Sequence, residues 1–197
     1  MRIVGITGGI GCGKTYVLHQ IAAKGYPVYV ADQAARRLME TSADIRQKVV
    51  AIFGEKAYTQ EGSLNRSFIA EQIFHNPLLR QALNAIVHPA TFEDFARWVA
   101  VRAGEGHSVV FKEAAITVET QAWRQVDVLV VVYAPLYVRL RRLQTRDGLS
   151  EAECWQRLTA QWPEWRKIPY ADFLILNDGR LPLEPQIAEL LNYVEAI

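Results

Sequence analysis

Short apolar runs alternate with segments of helical periodicity along most of the chain. The runs that predict strands lie at residues 3–7, 26–30, 108–111, 126–133 and 173–176. They show no strict alternation of apolar and polar positions, which is typical of strands buried on both faces of a sheet. Strands that alternate with helices predict an α/β fold in which a parallel sheet is flanked by helices.

Helical periodicity fills the intervals, at residues 14–24, 136–145, 150–161 and 185–194. A longer, mostly helical stretch at 42–103 interrupts the alternation. Helix starts are predicted at Asp32, whose carboxylate can cap the segment AARRLME, and at Ser150, which fits a capping box with Glu153. Glycine and proline predict breaks in the long helical stretch; these lie near Gly54, Gly62, Asn76-Pro77 and His88-Pro89.

Composition narrows the class of protein. The 197 residues are half apolar or aromatic, which is enough for one domain with a sizeable core, and the formal net charge is +1. This charge does not favour a nucleic-acid binder. We find no signal-peptide pattern at the N-terminus and no apolar run long enough to span a membrane. The two cysteines, Cys12 and Cys154, form no CxxC pair and favour reduced thiols in a cytoplasmic protein.

The segment GGIGCGKT at residues 8–15 fits the phosphate-binding pattern G-x-x-x-x-G-K-[ST] and lies between a predicted strand and a predicted helix. In such a loop successive backbone N–H groups wrap a polyphosphate, and the helix N-terminus faces the anion. Lys14 is expected to reach the β- and γ-phosphates, and the Thr15 hydroxyl to ligate Mg²⁺. The alternative is a simple glycine turn, which the strand–loop–helix context disfavours. The predicted ATP-binding residues here are Gly9, Ile10, Gly11, Cys12, Gly13, Lys14, Thr15 and Tyr16.

A carboxylate follows the second predicted strand. Asp32 should therefore stand at the carboxyl edge of the sheet, where the ligand sites of α/β proteins form. It could accept or orient a hydroxyl proton during phosphoryl transfer, or it could be a plain helix N-cap, and the two roles can coexist. Arg36 and Arg37, in the helix that follows, could bind an anionic substrate or could simply be solvated.

Six features in a fixed order resemble the dephospho-coenzyme A kinase family. They are GITGGIGCGKT, VADQAARRL, LLRQALNAIVHP, RLRRLQTRDGLS, Gln161 and ADFLILNDG, and the resemblance runs from Ile3 to Gln186. It implies that ATP, with Mg²⁺, phosphorylates the 3′-hydroxyl of the ribose of dephospho-coenzyme A, giving coenzyme A and ADP in the last step of coenzyme A synthesis. It also implies a nucleotide-binding core (1–32, 105–134 and 168–197), a helical substrate-binding region (33–104) and a lid (135–167).

The resemblance assigns roles to positions that match the family's motifs. Asp32 is the expected catalytic base for the ribose hydroxyl, and Lys14 is expected to neutralise charge on the phosphates. The expected substrate-binding residues are Asp32, Arg80, His88 and Pro89. Without the family match, His88-Pro89 would be interpreted as a helix break that contains a packed histidine.

Arg142 and Arg146 match basic positions of the lid, where guanidinium groups stabilise the charge of the phosphoryl group in transfer. They lie four residues apart, so one helix face can present both, and a solvated charged face is the alternative. Arg139 and Arg141, in the same segment, are assigned to such a solvated face. Asn177 matches an ATP-binding position near the adenine, with a plain turn residue as the alternative.

The chain departs from the family after the third predicted strand. Many members have an aspartate, a proline and two leucines there, whereas this chain has Lys112-Glu113-Ala114-Ala115 and later Glu119. Mg²⁺ keeps several waters and needs few protein ligands, so Thr15 with one carboxylate can suffice. Glu113 is the candidate for that carboxylate.

Several alternatives stay open at this point. Trp155, Trp162 and Trp165 could stack on a ligand, although packing is favoured, and Cys12 could be redox-sensitive, although a filler position is favoured. Another small-molecule or nucleotide kinase could use the same scaffold, and a nucleotide-dependent switch or binding protein could use the loop without catalysis. Asp32 and the lid arginines disfavour the switch. The expected partners are ATP and dephospho-coenzyme A, without nucleic acid or membrane, in a monomer or a small homo-oligomer.

Overall fold

The strands and helices of the chain follow the predicted order. The computed structural model describes residues 1–115, 117–119 and 121–197. The strands are β1 (Arg2–Thr7), β2 (Val28–Val30), β3 (Val109–Glu113), β4 (Val128–Tyr133) and β5 (Phe173–Leu176). The helices are α1 (Lys14–Ala23), α2 (Ala31–Thr41), α3 (Ala43–Phe53), α4 (Arg66–His75), α5 (Pro77–Gly104), α6 (Leu136–Asp147), α7 (Glu151–Thr159), α8 (Glu164–Lys167) and α9 (Leu183–Ala196).

The described strands form one sheet in the order β2–β3–β1–β4–β5. β1 pairs in parallel with β3 on one side and with β4 on the other, and β4 pairs in parallel with β5. In this register Ile6 lies opposite Glu113, and Thr7 lies opposite Val131. The carboxyl ends of β1, β3 and β4 therefore meet at one edge, where α/β proteins bind their ligands. The predicted α/β fold with a parallel sheet flanked by helices is confirmed.

The central strands are buried along their whole length rather than on alternate residues. Five consecutive residues of β4, from Val128 to Val132, are buried, which requires cover on both faces of the sheet. Strands β1, β3 and β4 share a hydrophobic core with helices α1 and α9. Its fully buried members include Ile6, Val17, Ile21, Phe111, Val130, Ile187 and Leu190.

The chain divides into two compact units, residues 1–29 with 102–197 (the sheet unit) and residues 30–101 (the helical unit). The helical unit has a hydrophobic core of its own. Tyr58 is buried in it, its hydroxyl donates to the carbonyl of Met39 at 2.8 Å, and the Arg46 guanidinium lies 4.1 Å from the centre of its ring. The other buried residues of this core are Ile45, Val49, Ala57, Leu64, Ile69, Leu83 and Val87.

Helix α5 runs without a break through Pro89, so the helix break predicted at His88-Pro89 is wrong. Proline removes one backbone hydrogen bond of a helix and crowds the preceding turn. Here the lost hydrogen bond is offset by the burial of one apolar face of α5. Leu83, Val87 and Phe95, spaced by multiples of four residues, are all buried. Pro89 itself is exposed, and its ring therefore displaces no core side chain.

Asp32 is not the N-cap of its helix, contrary to the sequence prediction. Helix α2 follows β2 directly and begins at Ala31; Val30 occupies the N-cap position, and no side chain caps it. Asp32 lies in the first turn instead, where a carboxylate interacts favourably with the helix dipole. Asp32 is exposed, and it lies inside the helix rather than at the capping position.

The capping box predicted for α7 is confirmed. The Ser150 hydroxyl accepts from the backbone N–H of Glu153 at 3.3 Å, and the Glu153 carboxylate accepts from the Ser150 N–H at 2.8 Å. The Ser150 hydroxyl also donates to the Glu153 carboxylate at 2.6 Å, and this bond, together with the one from the Ser150 N–H, lowers the pKa of the Glu153 carboxyl. No helix among the described residues combines the length and apolar character that crossing a membrane requires.

Candidate active site

The glycine-rich segment 8–15, here called the phosphate loop, joins β1 to α1 at the carboxyl edge of the sheet. Gly8 is buried and has a φ of 147°, a conformation that residues with a side chain rarely adopt. A Cβ at Gly8 would overlap the carbonyl oxygen of Val132 and lie 2.8 Å from Cys12 Sγ. The backbone thus passes directly over β4, which explains why glycine is needed there.

Replacing Gly8 with alanine is expected to lower the free energy of unfolding by about 2–4 kcal/mol. The cost of the strained φ and the cost of the overlap between the new Cβ and the Val132 backbone add together. Urea denaturation followed by circular dichroism measures the change. Gly104→Ala is the matched control: a Cβ there meets nothing within 4 Å, so this helical position should gain about 0.5–1 kcal/mol. Equal stabilities for the two variants would contradict the prediction.

Lys14 is folded back along the phosphate loop. Its Nζ donates to the carbonyls of Gly8 at 2.9 Å and Gly9 at 3.3 Å, and it lies 3.9 Å from Glu113 Oε1. Both side chains of this ion pair are about nine-tenths buried, at 11% and 9% exposed. The ammonium is therefore held over the loop by two carbonyls and a carboxylate, close to where the pattern predicts a polyphosphate.

Thr15 and Glu113 lie on the same cavity as Lys14. Thr15 is the second residue of α1, and Glu113 is the last residue of β3, the neighbour of β1 in the sheet. A hydroxyl and a carboxylate are the oxygen donors that Mg²⁺ prefers. Among the described residues no group of three or more His, Cys, Asp or Glu side chains could hold a metal ion. The donors present fit a Mg²⁺ ion that keeps most of its waters.

A cavity of about 1230 Å³ lies over the phosphate loop. It is lined by most of the residues that the sequence predicts for ATP. Gly9 and Cys12 belong to the same loop but are buried beneath its surface. The predicted residues that line the cavity are Ile10, Gly11, Gly13, Lys14, Thr15, Tyr16, Glu113, Arg142, Arg146 and Asn177.

The cavity also has a wall that the sequence analysis missed, formed by residues 178–184 after β5 and by Gln20, Tyr137 and Thr145. Residues 178–184 follow β5 and so reach the same sheet edge as the phosphate loop. The sequence could have indicated this wall, because the loops that follow parallel strands lie at the same edge of the sheet. Arg180 adds a further positive side chain to the wall.

Arg142 joins the phosphate loop to the end of β5. Its guanidinium donates to the carbonyls of Gly11 and Cys12, both at 3.3 Å, and to the carbonyl and side-chain oxygens of Asn177 at 3.1 and 3.0 Å. The Asn177 amide donates in turn to the Cys12 carbonyl at 2.8 Å. Asn177 is thus a buried brace of the loop rather than a plain turn residue.

Arg146 lies one turn further along α6 and also lines the cavity, as its four-residue spacing from Arg142 predicts. Its side chain is 64% exposed and forms a two-pronged ion pair with Asp147, at 2.7 and 2.9 Å. This pair lowers the pKa of the Asp147 carboxyl. Arg141 is exposed, as predicted, although it too touches the cavity.

Arg139 does not belong to a solvated helix face, so that assignment is wrong. It is 6% exposed, its Nε donates to the Ile10 carbonyl at 2.8 Å, and its NH1 pairs with Glu164 at 3.1 Å. Gln161 contacts the same loop residue, since its Oε1 accepts from the Ile10 N–H at 2.9 Å. The peptide groups at Ile10 are thus held by two side chains from distant parts of the sequence.

Cys12 is fully buried, and burial raises the pKa of its thiol, a rise that the nearby Lys14 ammonium only partly opposes. A raised pKa lowers the thiolate fraction at neutral pH, so the thiol should be a poor nucleophile.

We expect no reaction of Cys12 with Ellman's reagent at pH 7 in the folded protein. Both free cysteines, Cys12 and Cys154, should react after denaturation. Rapid labelling of the native protein at Cys12 would contradict this.

Three tryptophans predicted to pack are exposed instead: Trp155, Trp162 and Trp165. The Arg166 guanidinium lies 5.7 Å from the ring centre of Trp162 and 5.2 Å from that of Trp165. These distances are typical of cation–π contacts at a protein surface. The favoured interpretation as core packing is therefore wrong.

The remaining predicted residues belong to the helical unit, and all are exposed. Asp32 lies in the first turn of α2, whereas Arg80, His88 and Pro89 lie on α5. Arg80 and His88 are eight residues apart and so lie near the same face of α5.

The two arginines of α2 are engaged in ion pairs within the helical unit. Arg36 pairs with Glu40 at 3.2 Å, and Arg37 pairs with Asp94 on α5 at 2.5 Å. Both arginines stay at least half exposed, at 50% and 57%. Such contacts are expected of a surface helix and do not by themselves indicate an anion site.

The sheet order, the glycine-rich loop before α1, and the lysine and arginine over one cavity define a P-loop kinase. Comparison with known proteins gives the particular family. The model of the dephospho-CoA kinase family matches residues 2–182, and the chain belongs to this family. It is accordingly an ATP-dependent kinase.

Curated relatives and solved structures agree with this assignment. The chain is 36% identical to the dephospho-CoA kinase of Bacteroides fragilis strain YCH46 over 97% of this chain and 92% of that one. It is 38% identical to the dephospho-CoA kinase of Salinibacter ruber, over 96% of each. The crystal structure of TT1252 from Thermus thermophilus superposes with a TM-score of 0.79 at 30% identity, covering 99% of this chain and 96% of that one. A dephospho-CoA kinase from Campylobacter jejuni shares the fold, with a TM-score of 0.69 at 23% identity over 98% and 95% of the two chains.

Proposed function

We propose that this kinase transfers the γ-phosphoryl group of ATP to the 3′-hydroxyl of the ribose of dephospho-coenzyme A. The products are coenzyme A and ADP. The observation that carries the proposal is the convergence of Lys14, Thr15, Glu113 and Arg142 on one cavity over the phosphate loop. Membership of the dephospho-CoA kinase family supplies the acceptor.

The sheet unit would bind ATP. The first turn of α1 lines the cavity, so its backbone N–H groups and the positive end of the helix dipole would face the polyphosphate. Lys14, Arg142 and Arg146 would neutralise the charge that spreads over the phosphoryl group in the transition state. Asn177 and the wall at 178–184 would receive the base. Lys14 must exchange the loop carbonyls for phosphate oxygens, a short movement of a flexible side chain.

Thr15 and Glu113 would hold Mg²⁺, since both line the cavity beside Lys14. When bound, the ion supplies positive charge to the phosphate oxygens. Glu113 has a second role besides binding Mg²⁺. Its carboxylate lies 3.9 Å from Lys14 Nζ and helps to hold the ammonium at the phosphate loop.

The helical unit would bind dephospho-coenzyme A, through Asp32, Arg80, His88 and Pro89. The exposed Asp32 carboxylate takes the proton of the ribose 3′-hydroxyl as the new O–P bond forms and the bond to the ADP oxygen breaks. The chain segments proposed for the two substrates are the core (1–32, 105–134, 168–197), whose first segment ends at Asp32, and the region 33–104, with 135–167 as a lid that excludes water. We place the reaction in the cytoplasm, where ATP and Mg²⁺ are supplied.

The test is ADP release from ATP and Mg²⁺, measured with and without dephospho-coenzyme A, with the product identified by mass. An acceptor-dependent release of ADP and a product heavier by one phosphoryl group would support the proposal. ADP release that is slow and indifferent to the acceptor would overturn it. A panel of nucleosides, nucleotides and small alcohols, run in parallel, would then identify a different acceptor.

A further inference from the structure

A buried ion pair lies directly beneath the phosphate loop. Arg139 on α6 and Glu164 at the start of α8 are each 6% exposed, and NH1 of the arginine is 3.1 Å from Oε2 of the glutamate. Neither carboxylate oxygen of Glu164 reaches solvent, and among the described residues neither accepts a well-aligned hydrogen bond. The ion pair with Arg139 is thus the interaction that compensates the glutamate's charge.

The pair touches the loop at three consecutive residues. A Cβ at Gly9 would overlap both Glu164 Oε1 and the Arg139 guanidinium, and a Cβ at Gly11 would lie 3.0 Å from the Arg139 carbonyl oxygen. Between them, the Ile10 carbonyl accepts from Arg139 Nε at 2.8 Å. The loop backbone therefore rests on the ion pair without an intervening side chain.

The sign of the charge makes this contact unusual. A phosphate loop binds a polyanion, yet one of the two side chains packed against Gly9 is a carboxylate. A buried charge acts over several ångströms because little water screens it. Unpaired, the Glu164 carboxylate would repel the phosphates of bound ATP through the loop. Arg139 cancels that charge and fixes the Ile10 carbonyl with the same guanidinium.

We propose that Arg139 is a positioning residue of the phosphate loop: it neutralises Glu164 beneath Gly9, so that ATP affinity depends on the two charges together. The proposal rests on ATP binding at the phosphate loop, as set out under the proposed function, but not on the identity of the acceptor. It differs from the roles of Lys14 and Arg142, because Arg139 acts through the loop backbone and not on the phosphates.

The first experiment replaces each member of the pair alone. Arg139→Met leaves a buried carboxylate unpaired and should raise the Kd for ATP about tenfold or more, as removal of one partner of a buried pair does. Its kcat at saturating ATP should change less than about threefold, because the lost interaction acts on bound ATP and transition state alike. Glu164→Gln removes the negative charge and keeps the Ile10 bond, so its Kd should stay within about twofold of wild type or fall.

The double variant decides between a charge effect and a merely structural one. In Arg139→Met/Glu164→Gln no buried charge is unpaired, so the Kd for ATP should return to within about threefold of wild type. Such rescue would support the proposal. A double variant that is unfolded, or that binds ATP as weakly as Arg139→Met, would overturn it. So would Glu164→Gln binding ATP as weakly as Arg139→Met does.

Controls separate this result from loss of fold and from failure of the proposed function. Arg102→Met breaks a partly exposed ion pair with Glu105 and should leave the Kd for ATP unchanged. Thermal melts of every variant report stability. ATP affinity is measured by calorimetry without acceptor, so the test holds even if dephospho-coenzyme A is not the substrate. If Arg139→Met does not fold, the double variant still gives the deciding comparison.

Discussion

Replacing Lys14 with methionine is expected to lower kcat about a thousandfold, the effect of removing one charged donor from a preorganised transition-state site. The side chain lies over the phosphate loop, held by the carbonyls of Gly8 and Gly9 and by Glu113. Methionine keeps the length and apolar stem of lysine but has no charge. The variant also removes the positive charge that lies 3.9 Å from the Glu113 carboxylate, beside the phosphates, which should weaken ATP binding as well.

Steady-state kinetics and ATP calorimetry measure the two effects of Lys14→Met separately. Lys48→Met is the matched control, since Lys48 forms an exposed ion pair with Asp44 on α3 and should contribute little. A Lys14→Met enzyme with kcat and ATP affinity near wild type would remove the lysine from the phosphate site. A loss of ATP binding with kcat preserved would limit its role to the ground state.

Asp32→Asn should lower kcat by about a hundredfold to ten-thousandfold, the contribution of a positioned general base. Asparagine has the same shape but cannot take the proton of the ribose hydroxyl. The Kd for ATP should not change, because no part of the phosphate loop is altered. The KM for dephospho-coenzyme A should change by less than about fivefold if the amide still accepts a weak hydrogen bond.

The chain offers a matched control for Asp32→Asn. Asp44 lies in the first turn of α3, as Asp32 lies in the first turn of α2, and both are exposed. Asp44→Asn therefore repeats the loss of a helix-dipole contact, about 0.3–1 kcal/mol, and also breaks the exposed ion pair with Lys48, without touching the proposed base. A similar fall in kcat for both variants would assign the effect to helix stability. Full activity in Asp32→Asn would exclude the aspartate as base.

The phosphate loop was predictable because its information is local. Six consecutive residues between a strand and a helix supply the glycines, and the next two supply the ammonium and the hydroxyl. The strands were predictable for a similar reason, since uninterrupted apolar runs report burial on both faces. The spacing of Arg142 and Arg146 likewise placed both on one face of α6 and on the cavity.

Features that depend on distant partners could not be predicted in this way. Arg139 has the same chemistry as its exposed neighbour Arg141, and only Ile10 and Glu164, far away in sequence, distinguish the two. Continuity of α5 through Pro89 likewise depends on a stripe of buried side chains that outweighs the local signal of proline. A local sequence pattern gives the roles that a residue can have, and the contacts made in the fold determine which role it has.

The position of β1 in the sheet has a consequence for how the enzyme is made. β1 leaves the ribosome well before its neighbours β3 and β4, which follow more than a hundred residues later. Residues 30–101 are complete by then and contain a core of their own. Closing so long a stretch of chain is slow. The phosphate loop is therefore expected to form late in folding, and ATP, which binds only the finished loop, can stabilise only a chain that already contains β3 and β4.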